Sequence, residues 1–215
     1  MIDFGFYNMD CMEGMKEFPD KYFDLAIVDP PYGGAGQDAF NGDKRGHMCG
    51  GNAKKYGYGH WDIAPSKEYF NELFRVSKNQ IIWGGNYFEL PPTRCFVIWK
   101  KLTISENFTM AMAEYAWTSF NDNAKVFEYA PQDKSRFHPT QKPVALYEWV
   151  LNKYSKQGDI ILDTHVGSGS SLIACYNTNH KYVGFEIDPE YYKLAKQRID
   201  QETAQLNIWS LLNDE

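Results

Sequence analysis

The sequence predicts an α/β domain built on a doubly wound, mostly parallel sheet. Three observations carry that prediction: strand-sized apolar runs alternate with stretches of helical periodicity, several of those runs end on an acid, and one of them feeds a glycine-rich turn. With 215 residues, 43% of them hydrophobic, and no shift in composition, the chain is expected to form a single domain over 1–215. A formal net charge of -6 speaks against a protein that coats nucleic acid indiscriminately and leaves room for a local basic face. The longest apolar stretches are strand-sized, and Met1 to Asp10 lacks the charged start and apolar centre of a signal peptide. A cytoplasmic protein with no membrane contact is expected.

Phe4 to Asn8 reads as a strand with Asp10 just past its end, and Met12, Met15 and Phe18 stand at helical spacing before a stop at Pro19-Asp20. Tyr22 to Val28 is a buried strand. It ends in Asp29-Pro30-Pro31-Tyr32, where two prolines remove two backbone donors and fix φ twice, so neither the ladder nor a helix can absorb them. An acid and an aromatic are left displayed at a stiff strand terminus, the edge where open parallel sheets bind ligands. Gly33 to His60 is too long and irregular for an ordinary connection, and its Lys44, Arg45, Lys54 and Lys55 interleave with Tyr56 and Tyr58 as at a surface that meets phosphates and unstacked bases.

Ser66 is expected to cap a helix reaching about Ser77, with Tyr69, Phe70, Leu73, Phe74 and Val76 on its apolar face. Strands follow at Gln80–Trp83, Cys95–Trp99 and Ala113–Ser119, separated by a polar Lys100 to Met112. Asn121 to Phe137 reads as loop and carries Lys125, Lys134 and Arg136. His138-Pro139-Thr140-Gln141-Lys142-Pro143 opens a helix to about Tyr154, with proline near its first turn. Asp159–Leu162 is a strand leading into Asp163-Thr164-His165-Val166-Gly167-Ser168-Gly169-Ser170-Ser171, then a helix over Leu172–Asn177, a strand over Tyr182–Phe185 and Glu186 at its end. The last helix runs from Pro189 to about Leu212, with Tyr192, Ala195 and Ile199 on a core face. The four cysteines lack CxxC spacing and read as reduced packing residues; His47, Cys49 and His60 find no fourth ligand, so no metal is expected.

Strand, glycine turn, helix, strand, acid is the pattern of a nucleoside-cofactor site. Gly167 and Gly169 let the backbone approach a ligand, and the amides of the following helix start favour an anionic group. Taken together, Asp163 through Ser170, Glu186, the Asp29-Pro30-Pro31-Tyr32 box and the His138 to Pro143 segment resemble the amino-methylating DNA methyltransferases that use S-adenosylmethionine. The order, catalytic box early and cofactor loop late, is similar to the permuted β class. The resemblance spans Asn8 to Arg198 and implies a Rossmann-like, circularly permuted class I methyltransferase fold whose termini lie near each other.

By matching position, the resemblance implies that Asp29, Pro30, Pro31 and Tyr32 are catalytic. It implies that Asp163, Gly167 and Gly169 hold the methionine part of the cofactor, that His165, Ser168 and Ser170 also belong to the cofactor site, that Glu186 binds the ribose, and that Asp10 meets the adenine amino group. Thr140, Gln141 and Lys142 resemble the family's helix-start segment that approaches the cofactor carboxylate. Where the family has proline and phenylalanine after the loop's first acid, this chain has Thr164 and His165. The implied activity is methylation of N6 of a flipped adenine in double-stranded DNA. Sequence reading would fall to 33–60 and 100–137, including Arg136, and a homodimer is also in keeping with the group. N4-cytosine, RNA or protein amino groups are the alternative acceptors; a catalytically inactive DNA-binding module is the alternative of another class.

Overall fold

The computed structural model describes residues 2–33, 63–107, 111–131 and 136–213. Along the chain run β1 (Gly5–Asn8), α1 (Cys11–Lys16), β2 (Phe23–Val28), α2 (Lys67–Val76), β3 (Ser77–Trp83), a 3-10 turn (Gly85–Tyr87), β4 (Phe96–Lys101) and β5 (Ala113–Thr118). Then come β6 (Lys125–Tyr129), α3 (Val144–Tyr154), β7 (Ile160–Asp163), α4 (Ser170–Asn177), β8 (Lys181–Glu186) and α5 (Pro189–Asn213). The basic residues Lys44, Arg45, Lys54 and Lys55, and His47, Cys49 and His60, lie outside the described residues.

Eight strands form one sheet in the order β1-β8-β7-β2-β3-β5-β4-β6. From β1 to β3 every pairing is parallel, and β5 is the antiparallel strand, bonded to β3 on one side and β4 on the other. The parallel strands are covered on both faces, which explains their unbroken apolar runs. On β2, Ala26 and Val28 join a cluster with Met15, Tyr69, Phe70 and Leu73 from the α1 and α2 side. Leu25 and Ile27 join Leu146, Tyr147, Val150, Leu151, Ala174 and Cys175 from α3 and α4. This is the doubly wound α/β architecture that the sequence predicts, and it is permuted: α5 follows β8 and packs against β1, so the first strand neighbours the last.

Local chemistry sets the element ends. Asp10 caps α1, its carboxylate accepting from the Met12 amide at 2.8 Å. Farther on, the Lys21 ammonium donates to the Phe74 carbonyl in the last turn of α2 and to the Ser77 carbonyl just past it. β3 begins at Ser77, directly after the helix and three residues earlier than its apolar run suggests. Ser66 is the N-cap of α2 by position but makes no side-chain capping bond.

One expectation fails. Asn121 to Phe137 is not a loop: it contains β6, parallel to β4 at the sheet edge. The strand was hidden because an edge leaves its outer positions in water. Val126 is 59% exposed, and Glu128 spends its charge on Lys100 of the neighbouring strand at 2.7 Å, so Lys-Val-Phe-Glu-Tyr carries no continuous apolar run.

Gly14 on α1 packs against the fully buried Phe185 ring, which a Cβ there would overlap. An exposed helical glycine changed to alanine gains about 1 kcal/mol. Here Gly14→Ala is expected instead to destabilise by roughly 1–3 kcal/mol, the usual range for overpacking, and to lower the calorimetric unfolding midpoint. A raised midpoint would show that Phe185 gives way freely.

Candidate active site

Parallel pairing brings the carboxyl ends of β1, β8, β7 and β2 to one edge, and each carries an acid. Asn8 is in register with Glu186, Asp163 with Gly184 and Ala26 with Leu162. Asp10, Glu186, Asp163 and Asp29 therefore follow one another across three interstrand intervals of about 4.8 Å each. The chain's winding reverses between β7 and β2, since β7 leads through α4 to β8 on one side and β2 through α2 to β3 on the other. A crevice at such a reversal is where open α/β sheets bind ligands.

At β7 the chain turns through Val166 to Gly169, with Gly167 at φ +54 and Gly169 at φ +82, both left-handed. A side chain at Gly167 would crowd the His138 ring, and one at Gly169 would crowd Ile199, so both positions need glycine for space as well as for backbone angle. The turn is fastened from several directions. The Gly167 amide donates to Glu186 Oε2 at 2.8 Å, and the Asp188 amide donates to Glu186 Oε1 at 2.9 Å. Asp163 accepts from the His165 amide and from the Ser171 hydroxyl. Arg198 on α5 donates to the Ser168 carbonyl and the Ser170 hydroxyl. Burial pushes the Asp163 carboxyl up to about 7, against the pull of its two donors, and burial raises Glu186 as well.

Thr164 and His165, the departure from the family's usual pair, form their own network. The Thr164 hydroxyl lies 2.6 Å from the Tyr69 hydroxyl and 2.9 Å from His165 Nδ1, and Tyr69 meets the His165 ring edge-on. Burial drops His165 to about 4, so near neutral pH it presents an uncharged flat ring.

At β2 the box is held as a unit. The Tyr32 hydroxyl donates to Asp29 Oδ1 at 2.8 Å, and Lys142 donates to Asp29 Oδ2 at 2.5 Å. The Tyr32 ring lies so close over Gly84 that a Cβ there would overlap it, and it stacks on Tyr87 at 4.7 Å with 22° between planes. Tyr87 is 52% exposed, which leaves an aromatic surface at the mouth of the site.

The segment before α3 is folded inward. His138 is buried and neutral, dropped to about 3 by burial and by the nearby Lys142 and Arg136 cations. Its ring meets Tyr191 at 4.4 Å and lies beside Gly167, while its Nδ1 accepts from the Thr140 amide. Gln141 accepts from the Phe137 amide, and Arg136 donates to the His138 and Pro139 carbonyls, bracing this turn. The Lys142 ammonium is engaged by Asp29 and Glu114. Glu114, Lys101, Tyr87 and His138 were not among the residues picked out from sequence as site residues; only His138 had a signal, its place beside Thr140, Gln141 and Lys142. Among the described residues no group of three or more His, Cys, Asp or Glu side chains could hold a metal, and no helix is long and apolar enough to cross a membrane.

The sequence profile of the N6_N4_Mtase family, described as DNA methylase, matches residues 82–197, more than half of the chain. A type II methyltransferase of Haemophilus parainfluenzae, M.HpaI, is 48% identical over 65 residues, a match spanning 30% of this chain and only 21% of that one. The putative methylase YubD of Escherichia coli K12 is 26% identical over 90% of this chain and 89% of its own. Among solved structures, the M1.HpyAVI–SAM complex superposes with a TM-score of 0.60 at 18% identity, over 90% of this chain and 98% of that one. The cytosine-N4-specific PvuII DNA methyltransferase gives 0.59 at 13% identity, over 94% and 91%. Sequence and fold agree, and the chain belongs to the N6/N4 DNA methylase family, whose members depend on S-adenosylmethionine.

Proposed function

We propose that this protein transfers a methyl group from S-adenosylmethionine to the N6 amino group of an adenine flipped out of double-stranded DNA. The observation that carries the reading is the adjacency of the Asp29–Tyr32 box and the Gly167–Gly169 turn at the ends of neighbouring parallel strands.

The residues present fit the cofactor. Left-handed glycines keep side chains out of the turn beneath the site, and the first-turn amides of α4 suit a carboxylate. Glu186 spends one lone pair of each oxygen on a backbone amide, which fixes the carboxylate and leaves it capacity to accept from ribose hydroxyls. Asp10 stands exposed at the far end of the row, open to an adenine amino group. The bound cofactor supplies an electrophilic methyl on a sulfonium. The His165 ring, uncharged near neutral pH, adds no repulsion toward that cation.

An exocyclic amine is a weak nucleophile because its lone pair is delocalised into the base. Asp29 Oδ1 and the Pro30 carbonyl, accepting its two hydrogens, would draw the nitrogen toward a pyramidal geometry with its lone pair turned to the methyl. That is positioning with electrostatics, and it requires no covalent intermediate. Asp29 Oδ1 already accepts from Tyr32, and a carboxylate oxygen has a second lone pair for the substrate. Extruding the base costs a few kcal/mol, and stacking on Tyr32 returns about 1–3 kcal/mol of it.

Adenine is preferred over cytosine because an aspartate opens the box, as it more often does in the adenine enzymes the chain resembles. The N4-cytosine reading keeps support from the PvuII enzyme's similar fold.

Asp29→Ala is expected to lower methyl transfer by roughly 10²-fold or more, since it removes the acceptor that orients the amine, while DNA binding persists. Retained transfer would remove Asp29 from the reaction. Tyr32→Ala is expected to lose far more turnover on a duplex than on a mismatched target; equal losses would remove it from base flipping. Digestion of methylated DNA and separation of its nucleosides should give N6-methyladenine, and N4-methylcytosine in its place would transfer the assignment to the alternative base.

A further inference from the structure

Two lysines are buried among the described residues, Lys101 at 7% exposure and Lys142 at 3%. Lysine is almost never buried without a partner, and these share one. Glu114 Oε1 lies 2.6 Å from the Lys101 ammonium and Glu114 Oε2 lies 3.1 Å from that of Lys142. Lys142 in turn reaches Asp29 Oδ2, and Asp29 Oδ1 accepts from Tyr32. The result is a single row of alternating charge, Lys101, Glu114, Lys142 and Asp29, ending on the Tyr32 phenol. Its members come from the end of β4, the start of β5, the segment before α3 and the end of β2. Each lysine also lies over an indole, Lys101 over Trp99 and Lys142 over Trp83.

Stability alone is a poor account of this row. Buried ion pairs are often matched or bettered by apolar side chains of similar volume. What it does fix is orientation. A carboxylate held at one oxygen by a buried ammonium cannot rotate, so its other oxygen keeps a set direction. An ammonium is a compact charge on a flexible stem, and Lys142 is itself located by Glu114. Burial works to lower the Lys142 pKa, and the Asp29 and Glu114 carboxylates outweigh it, so the ammonium stays charged.

From this geometry we infer that Glu114 is a positioning residue for the transfer step, acting through Lys142 to hold Asp29 with Oδ1 directed at the target amine. The inference rests on the methyltransferase reading above.

Glu114→Gln keeps the shape of the side chain and removes its charge. The expected result is a fall in kcat of about 10- to 100-fold, the scale of a misplaced catalytic group, with KM for cofactor and DNA nearly unchanged. In a Lys142→Met background, where Glu114 has lost its handle on Asp29, adding Glu114→Gln should lower kcat no further. Solvent exchange of the Lys101 and Lys142 ammonium protons, followed by NMR on 15N-lysine protein, should be slow in the wild type and faster for both in Glu114→Gln. Glu128→Gln, which breaks the exposed pair with Lys100 between β6 and β4, should leave kcat intact. If Lys142→Met does not fold, the kcat-against-KM split in the single Glu114→Gln variant decides. A wild-type kcat in Glu114→Gln, or additive losses in the double variant, overturns the positioning role and leaves the methyltransferase reading standing. A wild type that methylates no amino group overturns both.

Discussion

Two rungs, Leu25 with Ile161 and Ala26 with Leu162, join β2 to β7 in parallel, and the arrangement of the whole site hangs on them. To either side of this seam the chain winds in opposite directions, the reversal at which open α/β sheets form a ligand crevice. The register is enforced by the core. Leu25 and Ile27 face α3 and α4 while Ala26 and Val28 face α1 and α2, so a slip of one residue would exchange the two sets between faces of different shape. It would also shift Asp29 relative to Asp163 by about 3.3 Å, more than the length of a hydrogen bond. Packing far below the surface thus sets the geometry at the mouth.

The site's electrostatics join an acidic row to a buried pair of cations. The strand ends supply an acidic row whose oxygens accept from backbone amides at Asp10, Glu186 and Asp163 and from the Ser171, Tyr32 and Lys142 side chains, so most are held before any ligand arrives. The cationic groups Lys142 and Lys101 are buried beside it, each between a carboxylate and an indole. An acidic entrance suits a positively charged methyl donor. It also fits a chain whose overall charge is negative and whose attraction for a phosphate backbone has to be local.

What could be read from sequence was whatever is written locally. The proline pair forces the box open in four consecutive residues, and the Gly-x-Gly turn with Glu186 one helix later repeats a pattern that backbone geometry demands. β6 was illegible because an edge strand may be polar on its outer face. The charge row was illegible for another reason: Lys142 and Asp29 stand 113 residues apart, and Glu114 looks like any solvated strand acid until the sheet folds. His138 beside Gly167 is similar, since a ring that fills the space above a glycine leaves no trace in the periodicity of either segment.

The pairing of β1 with β8 has a consequence for how the protein is made. Gly5 finds its rung at Val183, and among the described strands β1, at the sheet edge, pairs with β8 alone. At ribosomal rates of about 5–20 residues per second the nascent β1 waits on the order of tens of seconds for that partner. Until β8 leaves the exit tunnel, Asp10 and Glu186 cannot share an edge. A chain arrested with β8 still inside the tunnel would therefore display the Asp-Pro-Pro-Tyr box while Asp10 and Glu186 remained apart.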